Sequence, residues 1–174
     1  ELHHFPIPAA RSHPVFSNQI QAISDANHFL WLGTADGLYK FDKSRNSFTR
    51  FERDPDNYLS LLENNIIAIL KDKSDCFWFG LQSKGVNKKT NFRNYVKYYL
   101  PNPFRSGSME SDVFSLFESK SRIIWIGTGA DGLLSFDKRK EAFHIFQHDP
   151  QNPNSLSNNR IRSIVEDREG FIWI

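Results

Sequence analysis

Apolar residues recur along this chain in short alternating runs, without a sustained helical period, and the runs come back in the same order. In the clearest copy Val113 to Phe117 forms the first run and 118–122 a polar turn, followed by a second run, Ile123 to Thr128. Glycines at 129–132 interrupt it, Leu133 to Phe136 resumes, and a charged turn at 137–141 leads to the last run, Ala142 to Gln147. Period-two patterning bounded by Gly, Asp and Asn predicts four short strands, named A to D, in an antiparallel meander.

The meander is written several times. Trp31, Trp78, Trp125 and Trp173 are spaced by 47, 47 and 48 residues. Two residues after the first three stand Gly33, Gly80 and Gly127, and each strand C opens at Gly37, Gly85 or Gly132. Strand A carries Ile20, Ile66, Val113 and Ile161, each followed three residues on by Ile23, Ile69, Leu116 and Ile164. Apolar pairs mark strand D at Leu2/Phe5, Phe48/Phe51, Tyr95/Tyr98 and Phe143/Phe146. Each second member precedes the next strand A residue by fifteen positions.

A meander of this length buries one face only against a neighbour, and four-stranded units at this period stack radially as propeller blades. The expected fold is therefore all-β, a partial β-propeller of about three and a half blades. It divides as an outer strand at 1–8, blades at 18–53, 64–100 and 111–148, and two strands of a further blade at 159–174. That inventory reads as a fragment of a larger ring, whose open edges are expected to pair end to end with a second copy. The tryptophans are expected between blades, where truncation to Ala costs about 3 to 5 kcal/mol. The second copy departs most, with Lys88, Lys89 and Thr90 where the third has Ser135, Phe136 and Asp137. Its strand C is expected to be weak or an edge.

Composition narrows function by exclusion. A net charge of +2 gives no footprint for nucleic acid or an anionic membrane. The 14% aromatic content, with 16 Phe, suits pleated surfaces. Cys76 is the single cysteine, so neither an internal disulfide nor a cysteine-built zinc site exists. No apolar run reaches the roughly 20 residues of a membrane helix and no leader pattern opens the chain. Any such segments of the natural protein are expected outside these residues.

Gly127 to Gly132 spells G-x-G-x-x-G, yet a dinucleotide site needs a helix next, and LLSFD follows. A tight strand turn is the expectation, in which Asp36 or Asp131 bonds its own backbone. The six histidines, His3, His4, His13, His28, His144 and His148, show no metal-ligand spacing. Catalytic residues, metal ligands and cofactors are all expected to be none. Asp54-Pro55-Asp56-Asn57 and Asp149-Pro150-Gln151-Asn152 read as turns in long D-to-A connections. In a meander those connections share a face with the B-to-C turns, and loops on rigid scaffolds often bind ligands. Candidate ligand residues near the axis of that face are Asn64, Lys84, Asp112, Asp131, Asn159, Arg160 and Arg162. Their cations suit a sulfated or uronic sugar.

WLGTADGLYKFD at 31–42, WIGTGADGLLSFD at 125–137 and the connection through DPQNPNSLSNNRIRSIVEDREGFIWI at 149–174 resemble the two-component regulator propeller repeat. The resemblance implies an extracytoplasmic, periplasmic sensor segment of a Bacteroides-type hybrid two-component system. It further implies an oligosaccharide ligand, a homodimer, further blades in the full-length chain, and a kinase reached through a membrane helix elsewhere. This segment is then no enzyme and touches neither nucleic acid nor membrane. Two alternatives stay open: a lyase or glycosidase-type propeller enzyme, and a propeller serving protein contacts alone.

Overall fold

A computed structural model describes residues 19–57, 59–90, 96–99 and 112–174. The expected outer strand at 1–8, the stretch at 9–17, His3, His4, His13 and Tyr95 lie outside the described residues.

Alternating apolar runs become strands, and each break with turn chemistry becomes a hairpin. The first sheet runs β1 (Ile20–Ala26), β2 (Phe29–Thr34), β3 (Gly37–Asp42) and β4 (Ser47–Phe51) in spatial order. The second runs β5 (Ile66–Lys71), β6 (Phe77–Leu81), β7 (Val86–Lys89) and β8 (Val96–Tyr99). The third is β9 (Val113–Glu118), β10 (Ile123–Thr128), β11 (Leu133–Asp137) and β12 (Ala142–Phe146), and β13 (Val165–Glu166) pairs with β14 (Ile172–Trp173). Every pairing is antiparallel, and no helix occurs among the described residues. The lysine-rich β7 is short but no edge: it pairs with β6 on one side and β8 on the other, which corrects the expectation from its sequence. Backbone bonding does not depend on its side chains, and both neighbours supply partners.

The first strands of successive sheets lie side by side, β1 against β5 and β5 against β9, while strands two to four fan outward. This is a partial β-propeller. Its angular step is set by a repeated close approach. A methyl group on Gly33 would lie 2.8 Å from the Ile66 carbonyl oxygen, one on Gly80 would lie 2.6 Å from Val113 Cγ1, and one on Gly127 would lie 2.8 Å from the Ile161 carbonyl oxygen. The glycine two residues after each of the first three tryptophans thus makes room for the inner strand of the next blade.

Apolar layers fill the wedges between blades. Trp31, Leu38, Ile66, Phe77, Phe79 and Leu81 join the first and second blades. Trp78, Val86, Val113, Ile124, Leu134 and Phe136 join the second and third. Trp31 and Trp78 therefore occupy the expected inter-blade positions. Trp125 is half-buried with Leu133, Ile161 and Ile164, while Trp173 is exposed.

The residue six before each tryptophan decides how its indole N–H is satisfied. Asp72 accepts it from Trp78 at 2.9 Å and, through its other oxygen, the backbone N–H groups of Ser74 and Cys76. Asp167 repeats this with Trp173 at 2.7 Å, Glu169 and Phe171. Asp25 instead takes both its oxygens to Lys43. In the third blade Ser119 stands in that place, and the buried Trp125 Nε1 has no acceptor among the described residues.

Asp72 also belongs to a buried ion network across two blades. Lys138 Nζ donates to Asp72 at 3.1 Å and to Glu118 at 2.6 Å, and Glu118 accepts the Lys73 N–H. Burial alone would raise the Asp72 carboxyl, but donors from Trp78, Cys76, Lys138 and Ser74 outweigh it and hold it below the ordinary value.

Candidate functional site

Among the described residues, two long connections are built alike. In the first, Asp54 Oδ1 accepts the Asp56 N–H, Asn57 Oδ1 the Leu59 N–H, and Ser60 Oγ both accepts from and donates to the Asp54 backbone. The second repeats these bonds with Asp149, Asn152 and Ser155. Short polar side chains next to proline bond locally in this manner, so each connection is stiff without a packed core of its own. Asn64 and Asn159 close the two loops by accepting the Arg53 and His148 N–H groups, each at 2.6 Å. Two candidate ligand residues are thereby structural pins.

The β10–β11 turn ties this face together. Its Gly129 N–H donates to the Asp112 carbonyl at 2.9 Å and its Gly132 N–H to the Asn159 carbonyl at 2.9 Å, while Ile161 N–H returns to the Thr128 carbonyl. Gly132 has φ +86°, the left-handed region where glycine is favoured. A hydroxyl closes the turn: Thr128 Oγ1 donates to the Gly132 carbonyl and accepts the Asp131 N–H, as Thr34 does with Gly37 and Asp36. The Asp36 carboxylate lies 2.8 Å from Arg50 on β4. A strand, β11, follows the glycines, and the helix that a nucleotide site requires is absent there.

Around that turn the chain brings Arg160 and Arg162 to one aromatic ring. Phe114, half-buried on β9, has the Arg160 guanidinium carbon 5.6 Å and that of Arg162 5.3 Å from its centroid. Gly129 lies against the same ring, so close that a methyl there would reach it at 3.4 Å. Both arginines are exposed. That arrangement suits a ligand with a ring to stack and an oxyanion to clamp. Lys84 sits exposed at the β6–β7 turn of the preceding blade, and Asp131 half-buried in the β10–β11 turn.

Phe114 was not among the residues singled out from the sequence. Its signal is positional: the equivalent residues are Gln21, Ile67 and Arg162, so this copy alone places an aromatic there. Beside the first connection, Arg50, Phe51, Arg53, Pro55, Leu59 and Lys89 help to line a groove of about 470 Å³ on the same side.

Comparisons with known proteins agree with this architecture. Residues 155–174 match the family model of the two component regulator propeller. The chain is 32% identical over 153 residues to histidine kinase P4 of Formosa agariphila, covering 83% of this chain and 10% of that one. Among solved structures it resembles the extracellular domain of a putative hybrid two component system from B. thetaiotaomicron, with TM-score 0.57 and 21% identity over 94% of this chain and 26% of that one. It also resembles the computationally designed Ika4 protein, with TM-score 0.56 and 13% identity, covering 99% of this chain and 97% of that one. The chain thus spans a tenth of the curated relative and about a quarter of the natural structural neighbour.

Proposed function

We propose that this chain, built of two-component regulator propeller repeats, is a non-enzymatic segment of the extracytoplasmic sensor domain of a hybrid two-component system. It recognises an acidic oligosaccharide on the face of the long connections and hands the signal to a kinase elsewhere in the protein. The observation that carries the reading is the Phe114 ring flanked by Arg160 and Arg162. Sugar rings stack on aromatic faces, and guanidinium groups pair with carboxylate or sulfate in two-pronged fashion. The pinned connections hold that platform without needing the ligand, so little ordering cost falls on binding.

Calorimetry of the chain against neutral, uronic and sulfated oligosaccharides tests the proposal. Heat from acidic members that disappears in F114A and in R160A/R162A is the expected result. No heat from any member overturns ligand recognition here, and release of cleaved or unsaturated products from the panel overturns the non-enzymatic reading in favour of a propeller enzyme.

A further inference from the structure

At the end of the blades away from the Phe114 platform, where the A-to-B and C-to-D turns emerge, the second and third blades border a cleft of about 400 Å³. Four of its lining residues are cations: Lys88 on β7, Arg122 in the β9–β10 turn, and Lys138 and Arg139 in the β11–β12 turn. Two carboxylates line it as well, and both are engaged. Asp72 accepts from the Trp78 indole, from Lys138 and from two backbone N–H groups, and Asp137 Oδ1 accepts the N–H groups of Arg139 and Lys140 in its own turn. Lys138 in turn is held between Asp72 and Glu118. Glu141, whose carboxyl feels the Lys88 charge, is bonded to Lys97 and Tyr99. Among the described residues, no carboxylate stands within salt-bridge distance of Lys88, Arg122 or Arg139.

Arg122 is not the residue its backbone favours. The position three residues before the tryptophan has positive φ in the second, third and fourth units, +58° at Asp75, +67° at Arg122 and +96° at Gly170. Aspartate and glycine visit that region readily and arginine does not, and a residue held there against its preference points to a task beyond folding. Its charge answers no local need either. In the second unit Asp75 pairs with Lys71 at 2.9 Å. The counterpart of Lys71, seven residues before the tryptophan, is Glu118, yet Glu118 bonds Lys138 and the Lys73 N–H rather than Arg122. Arg122 Nη1 instead reaches the preceding blade and donates to Ser74 Oγ at 3.2 Å, which fixes the guanidinium at the cleft that both residues line. Lys88 Nζ rests 4.9 Å from the centroid of the Trp78 ring, on the same wall.

We propose that the cleft holding Lys88, Arg122 and Arg139 binds a tetrahedral oxyanion, the phosphate or sulfate group of a small ligand, at a site separate from the Phe114 platform. A guanidinium pairs with such a group in two-pronged fashion and an ammonium adds a point charge, while the Ser74 hydroxyl, which accepts from Arg122, keeps its own proton to donate. The volume leaves room for a sugar-sized body attached to the anion. The site does not rest on the sensor reading, because its charge, its volume and the placement of Arg122 define it.

The test is an NMR titration of the backbone amides of the chain with sodium phosphate, sodium sulfate, glucose 6-phosphate or glucose, each against sodium chloride at matched ionic strength. Phosphate, sulfate or glucose 6-phosphate should shift the amides of Ser74, Ser121, Arg122 and Arg139 along a saturating curve, the tightest of the three naming the group, while glucose and chloride do not. R122G, which installs the residue of the fourth unit, should weaken the response by about tenfold or more while leaving the ligand-free thermal midpoint equal or higher, since glycine suits that backbone. K88S, with the serine that the third blade has at that register, should weaken it as well. R160A/R162A should keep the response in full. Absence of any saturating shift at these amides, an equal shift with glucose, an undiminished response in R122G and K88S, or its loss in R160A/R162A would overturn the assignment.

Discussion

Gly80 lies beneath Val113 of the following blade, so closely that a methyl group at position 80 would stand 2.6 Å from Val113 Cγ1 and 3.1 Å from Ala68 Cβ. Gly80→Ala should therefore destabilise the fold by about 1 to 3 kcal/mol, the usual cost of overpacking. Val113→Ala in the same chain should return part of that loss, since it removes the clashing atom. Urea unfolding of the two single variants and the double variant checks this, and strictly additive losses would contradict the interlock.

Asp72→Asn should separate the buried network from simple packing. The folded carboxyl of Asp72 lies below its unfolded value of 3.8. Its contribution is therefore complete above that value and is lost as pH falls through the lower folded one. The variant should be less stable than the parent at neutral pH, and the gap between their urea midpoints should close on acidification. A gap that is constant with pH would assign the loss to something other than the ionised carboxylate.

Ser119→Asp should give Trp125 the partner that Trp78 and Trp173 possess. Ser119 Oγ already accepts the Ile123 N–H, four residues on, as Asp72 accepts that of Cys76. A new indole bond contributes about 1 kcal/mol. A downfield shift of the Trp125 indole proton in NMR spectra reports it directly, and an unmoved resonance refutes it.

Phe114→Ala should weaken acidic oligosaccharide binding about tenfold while lowering the thermal midpoint only modestly, because the ring is half-exposed support rather than inter-blade core. Phe114→Tyr should retain binding. Equal losses in both variants would argue against a stacking role.

The blade plan was legible because packing repeats: a tryptophan, a glycine two residues on and a β-branched residue in the next unit are three parts of one contact. Gly33/Ile66, Gly80/Val113 and Gly127/Ile161 are that contact three times. Arg160 and Arg162 were legible as exposed cations. Phe114 was not, since alternation cannot tell an inward ring from one at the mouth of the wedge. Asn64 and Asn159 looked like ligand residues because polarity on a loop carries the same signature whether it bonds a ligand or the backbone beside it.

The carboxylates that hold the Trp78 and Trp173 indoles, Asp72 and Asp167, each sit only six residues upstream. Both partners of each bond belong to one hairpin. Each of these hairpins carries a latch that closes within its own loop, on the microsecond scale of hairpin formation. Such a contact has a short sequence separation, unlike the blade-to-blade contacts, whose separations of tens of residues are what slows folding.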